Sequence, residues 1–269
     1  MRRSRVPILA TLALTVALFS PVPLGTVARS YEELPGDVDD TAENPCQGHD
    51  RNLLRCPDLQ MRRPYDFETQ RTRRGRTLLR ATSAIKSRGR GPIELHGRRT
   101  GRRTMVVRQS IYRVDGTRLT MAPRGHLYFY LIPGQGRYWK FVNAARFELW
   151  LVDGRGRRKR LVRTGPKLQY CFRDLVRTSR SRRSPRKRIY PGCSQKSDKQ
   201  RVTLGTSVGW SDIYPARYHE QWIDVTGLRG CFAYVHVADP ENHIYESQED
   251  NNEAQRIVRL PPRRGPGPC

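Results

Sequence analysis

The sequence has no His-x-His pair and no Cys-x-x-Cys pair. The six histidines, His49, His96, His126, His219, His236 and His243, are scattered, and each reads as a surface or core residue rather than a ligand. Without a Cys-x-x-Cys pair, a zinc ribbon or a thioredoxin-like redox site is disfavoured. Apolar runs are also scarce. Val6–Phe19 is uncharged and follows Arg2, Arg3 and Arg5, but it is short for a bilayer span and sits where a secretory h-region belongs. Small residues at 26–28 then predict a signal peptide over 1–28, and no later segment is apolar enough to cross a membrane. Carboxylates are few: 25 Asp and Glu against 51 Lys and Arg give a formal net charge of +26. Lysine is scarce too, with seven against 44 arginines.

What is present fits an exported chain. The cysteines are even in number, Cys46, Cys56, Cys171, Cys193, Cys231 and Cys269, as in a disulfide framework. Spacing favours Cys46–Cys56 and Cys171–Cys193, which leaves Cys231–Cys269. Residues 29–55 form an acidic arm rich in turn formers. The arginine runs at 71–76, 98–103, 155–160 and 177–188 would attract polyanions in a salt-sensitive way. Outside a cell those are acidic polysaccharide, wall polymer, anionic lipid, free nucleic acid or acidic proteins. Sequence-specific nucleic-acid reading is disfavoured by the export signal. An arginine-biased solvated surface is the plain alternative.

Short alternating or apolar runs broken by Gly and Pro follow: 77–85, 92–96, 105–114, 127–132, 146–152, 221–226 and 231–237. Such runs predict an all-β sandwich with long basic loops and little helix. Only Trp210–Tyr218 is expected to hold a short helical turn. Residues 177–199 read as a basic loop, and 261–269 as a Pro- and Gly-rich tail.

Several stretches together resemble the catalytic domain of the lysyl oxidase family in its shorter bacterial form. They are Gly91-Pro92-Ile93-Glu94-Leu95, Gln109 to Gly116, Ala145 to Trp150, Lys167 to Asp174 with Tyr170-Cys171-Phe172, Gly205 to Tyr214, Gln221 to Thr226, and Asp239-Pro240 with Glu246 and Asn251-Asn252. They run in family order, which delimits a domain over 56–260. The resemblance implies oxidative deamination of primary amines, typically peptidyl lysine, with one copper ion and a quinone made from the enzyme's own lysine and tyrosine. By position, Lys167 matches the cofactor lysine and Tyr214 the cofactor tyrosine. A quinone carbonyl of this kind traps the substrate amine as a Schiff base.

One motif departs from the family. Its copper is held by H-x-H-x-H, three imidazoles on one strand face. The matching positions here are Gly136, Tyr138 and Lys140. Glycine offers no side-chain donor, and an ammonium repels a divalent cation. The expectation is a pseudoenzyme with Lys167 and Tyr214 unmodified; the competing reading is a working oxidase that finds copper through distant residues. A second family feature is a calcium ion joining the first strand to the C-terminal acidic stretch. The matching positions are Asp58, the Leu59 carbonyl, Glu246, Gln248, Asn251 and Asn252, which supply the oxygens calcium prefers.

Overall fold

In a computed structural model of the chain, residues 43–261 and Cys269 are described. The expected signal segment, the first part of the acidic arm and most of the C-terminal tail lie outside the described residues. Sixteen strands follow in chain order: β1 (Leu54–Arg55), β2 (Leu59–Met61), β3 (Tyr65–Arg71), β4 (Thr77–Ser87), β5 (Ile93–Arg99), β6 (Thr104–Arg113), β7 (Arg118–Ile132) and β8 (Gly136–Val152), then β9 (Arg158–Thr164), β10 (Leu168–Tyr170), β11 (Val176–Arg177), β12 (Arg201–Thr206), β13 (Trp210–Tyr214), β14 (Trp222–Asp224), β15 (Gly230–Ala238) and β16 (Glu253–Leu260). They form two antiparallel sheets, so the all-β sandwich expectation holds. The larger has the order β12-β5-β6-β7-β8-β15-β16, with β1 on β6 and β9 and β10 on β8. The smaller has the order β11-β13-β4-β14, with β2 and β3 also pairing β4.

The long central strands bury aliphatic and aromatic residues. Ile93, Leu95, Met105, Val107, Leu127, Trp139, Phe141, Phe147 and Leu149 from the larger sheet meet Leu79, Ala81, Ile85 and Tyr214 from the smaller in one core. Burying a large aliphatic or aromatic side chain contributes roughly 1.5–3 kcal/mol each, which is why the runs read from the sequence became the strands that carry the core.

The helical turn expected over Trp210–Tyr218 is not formed at its start. Trp210–Tyr214 is strand β13, in register with β4 through Ile213↔Ala84 and Tyr214↔Ser83. Its Trp, Ile and Tyr suit a pleated, half-buried surface better than a helix. The described residues contain one short 3-10 helix, His49–Leu53.

The two disulfides that spacing favoured form, and so does the pair they leave over. Cys46–Cys56, Cys171–Cys193 and Cys231–Cys269 have Cα–Cα separations of 5.7, 5.4 and 5.5 Å. No helix among the described residues is long and apolar enough to cross a membrane.

Candidate active site and acidic cluster

Alternation along β8 places Gly136, Tyr138 and Lys140 on one face. Gly136 is exposed, Tyr138 is half-buried and Lys140 is 2% exposed. Lys140 is covered by the aromatic rings of Tyr214, at the end of β13, and Tyr218, in the turn that follows it. Its Nζ lies 5.1 Å from the ring centroid of Tyr214 and 5.3 Å from that of Tyr218. Burial pulls the amine down to about 8, with Asp212 and Glu220 opposing the shift and Arg173 adding to it. A cation against two phenol faces gains quadrupole attraction, which partly offsets the loss of water.

Tyr214 is locked on every side. It stacks on Tyr170 at 3.8 Å and meets Tyr218 edge-on at 5.1 Å. Its hydroxyl accepts the Cys171 N–H at 2.8 Å, and burial raises its pKa well above the ordinary phenol value. Tyr170 in turn shares a 2.5 Å hydrogen bond with Ser83 Oγ, which donates to Gln221 Oε1 at 2.7 Å. Asp212, two residues before Tyr214, is fully buried. Burial pushes it up to about 6 against Arg173 and Lys140, and Arg173 Nε sits 3.4 Å from its Oδ1. At the rim, Glu220 accepts the Tyr130 hydroxyl at 2.6 Å and faces His219 at 3.3 Å.

Lys167 is elsewhere. Its side chain is 61% exposed and its Nζ lies 3.9 Å from Glu241 Oε1, a carboxylate that Asn143 also contacts. The two positions matched to a lysine–tyrosine cofactor therefore stand in different settings, one at the surface and one in the core. The lysine that faces Tyr214 is Lys140. The sequence reading treated Lys140 only as a poor ligand and passed over Arg173, Asp212, Tyr218 and Glu220. The available signal was the carboxylate two residues before Tyr214, on the same face of β13.

Copper does not fit these residues. Glycine has no donor atom, Tyr138 would have to ionise, and the Lys140 amine carries its proton at neutral pH with its face turned to aromatic rings. Among the described residues no group of three or more His, Cys, Asp or Glu side chains is arranged to hold a metal ion.

The second set of predicted residues does converge. Asn251 Nδ2 donates to Asp58 Oδ1 and to Gln248 Oε1, each at 2.9 Å. Glu246 accepts the Leu59 N–H and Asn252 Nδ2, each at 2.5 Å. Leu59 thus meets the cluster through its amide. Glu249 joins through Asn44, which donates to Glu249 Oε1 and to the Glu246 carbonyl at 3.0 Å. Burial drives Glu246 and Glu249 upward, and their mutual repulsion adds to the Glu246 shift. The buried Oδ1 atoms of Asn251 and Asn252 have no hydrogen-bond partner. Buried carboxylates thus stand beside amide oxygens that have no partner.

The family model for lysyl oxidase matches residues 145–262. That segment is therefore similar to the lysyl oxidase family, in line with the resemblance carried by the sequence motifs. The matched span takes in Lys167, Tyr214 and the acidic stretch at 246–252. It begins five residues past Lys140, so the stretch that departs from the lysyl oxidase copper motif lies outside it. No curated protein matches the chain.

Proposed function

We propose that this chain is an exported lysyl oxidase family member whose copper- and quinone-dependent oxidation of amines has been lost, so that it acts as a pseudoenzyme. The observation that carries this reading is Lys140. Its side chain lies against Tyr214, on the strand face where the family motif would put imidazoles. A quinone made from Tyr214 needs a redox metal beside the ring, and an ammonium cannot supply electrons to oxygen. Three disulfides support residence outside a reducing compartment.

Elemental analysis of the purified protein, with a quinone stain and a peptide digest, tests the reading. Expected are no stoichiometric copper, no stain, and Lys167 and Tyr214 recovered as unmodified residues. Stoichiometric copper together with a quinone signal would restore the oxidase reading.

Calcium is the metal we assign to this protein. Asp58, Glu246, Gln248, Asn251 and Asn252 would hold it, with Glu249 adjacent. Its role would be structural, joining the loop before β2 to the segment that leads into β16.

A further inference from the structure

The stretch from Arg180 to Arg188 holds six exposed cations, Arg180, Arg182, Arg183, Arg186, Lys187 and Arg188. None forms an ion pair among the described residues. A run of like charge is ordinarily a self-repelling coil. This one is pinned at several points. Ser184 is buried, its Oγ accepts Arg177 Nε at 3.0 Å, and its carbonyl accepts Arg177 NH2 at 2.9 Å. Trp210 Nε1 donates to the Pro185 carbonyl at 3.0 Å, and Arg188 reaches back to the Leu175 carbonyl at 3.1 Å. Asp174 Oδ2 accepts the Ile189 and Tyr190 amides at 2.8 and 3.3 Å and so closes the loop.

Gly209 is the hub. Its carbonyl accepts the Thr178 and Ser179 amides, each at 2.9 Å, and its N–H donates to the Ser87 carbonyl at 2.7 Å. Its φ is +81°, and a Cβ there would fall 2.6 Å from Ser184 Oγ and 2.8 Å from the Ser179 carbonyl. One glycine therefore ties Thr178 and Ser179, just before the loop, to Ser87 at the end of β4. Lys86, Arg88 and Arg62 extend the positive surface across the smaller sheet. Lys86 is lowered by burial and then by Arg88 and Arg62, as expected where cations crowd together. The carboxylate facing Arg88 is Asp58.

We propose that the pinned 180–188 loop, with Lys86 and Arg88, is a pre-organised docking surface for an extended acidic polysaccharide. Guanidinium forks match carboxylate and sulfate groups. The nearby rings of Trp210 and Tyr190 are buried, so no aromatic platform is offered to nucleobases. A loop fixed before binding loses little conformational entropy on contact. The inference is independent of the copper argument, because neither Lys140 nor Tyr214 takes part.

The test titrates the full, disulfide-intact protein with polygalacturonate, heparin and duplex DNA over a range of salt. Replacing Arg182, Arg183 and Arg186 with Gln should weaken polysaccharide binding by about tenfold or more and flatten the dependence of log K on log salt. The equally charged control, Arg71, Arg73 and Arg74 to Gln, should change affinity by no more than about twofold. Gly209→Ala keeps every charge; it should lower affinity severalfold with the salt slope unchanged. Equal losses from the two triple variants would mean diffuse charge attraction and overturn the assignment. Tighter binding to DNA than to either polysaccharide would overturn the partner class. If Gly209→Ala fails to fold, the paired triple variants decide alone.

Discussion

His236 offers a sharp test of how the core is balanced. It is fully buried on β15, its ring stacked on Phe147 at 3.9 Å and edge-on to Tyr234 at 5.3 Å. Neither ring nitrogen has a hydrogen-bond partner. Burial alone pulls its pKa from 6.5 to about 3. The fold therefore binds the neutral ring, while the unfolded chain protonates below about 6.5. Stability attached to this residue is present above that pH and drains as pH falls towards 3. At about 1.36 kcal/mol per pKa unit, the loss is roughly 2 kcal/mol at pH 5 and about 5 kcal/mol at its limit. His236→Phe keeps a flat ring against Phe147 and removes both unpaired nitrogens, whose desolvation costs on the order of 1–3 kcal/mol. The variant should melt higher at pH 7, and the gap should widen by about 4–8 °C at pH 5, given roughly 2–4 °C per kcal/mol for a domain of this size. Asp212 and Asp239, raised to about 6 and about 7, pull the other way, because acid protonates them first in the fold. The readable quantity is thus the difference between parent and variant, followed by calorimetry or circular dichroism. Parallel loss of melting temperature in the two proteins from pH 7 to pH 5 would refute the reasoning.

Glu94 accepts the hydroxyls of Tyr190 and Tyr112 at 2.6 and 2.8 Å, His96 at 2.9 Å and Arg118 at 3.2 Å. Glu94→Ala should destabilise by about 3 kcal/mol in urea unfolding, since it strands several donors at once. Burial opposes its ionisation, yet these partners hold Glu94 down at about 2, so its contribution is present above about pH 4.5 and should be lost only as pH falls through 2. Calcium should raise the melting temperature, by about 2.7 kcal/mol of stability at a hundredfold excess over Kd, and Asn252→Ala should abolish the effect. Binding should also release protons from Glu246 and Glu249, read as a calorimetric enthalpy that changes with the buffer; buffer-independent heat would count against that coupling. Lys167→Ala should leave stability within about 0.5 kcal/mol, while Tyr214→Phe should cost about 1 kcal/mol by removing the acceptor of the Cys171 amide.

The strands were legible because runs such as 105–114 and 231–237 carry apolar residues at the spacing a buried sheet needs. The disulfides were legible from spacing in an even set. Trp210–Tyr218 was misread because its fate is decided by β4, more than 120 residues earlier in the chain, and no local pattern reports that partner. The acidic cluster was found through resemblance, but Glu249 and Asn44 were missed. Asn44 lies in the arm and enters the cluster only because Cys46–Cys56 folds that arm back.

Lys140 shows the limit most clearly. Period-two alternation puts positions 136, 138 and 140 on one face, yet alternation cannot say how deep that face lies or what stands opposite. Depth comes from the Tyr214 and Tyr218 rings that cover it, and it turns a lysine that reads as surface into a buried cation. Asp212 and Glu220 explain why that cation can stay. A divalent metal held by neutral ligands would bring two positive charges to this region. Lys140 and Arg173 also bring two, against the same two carboxylates. On the proposed reading, the region can thus remain electrically balanced without a metal, and the fold would survive loss of the copper ligands. The same balance predicts an asymmetry: Lys140→Met should raise the Asp212 pKa further, whereas Lys140→Arg should not. A titration of Asp212 that is unchanged by Lys140→Met would show that the two groups are not coupled.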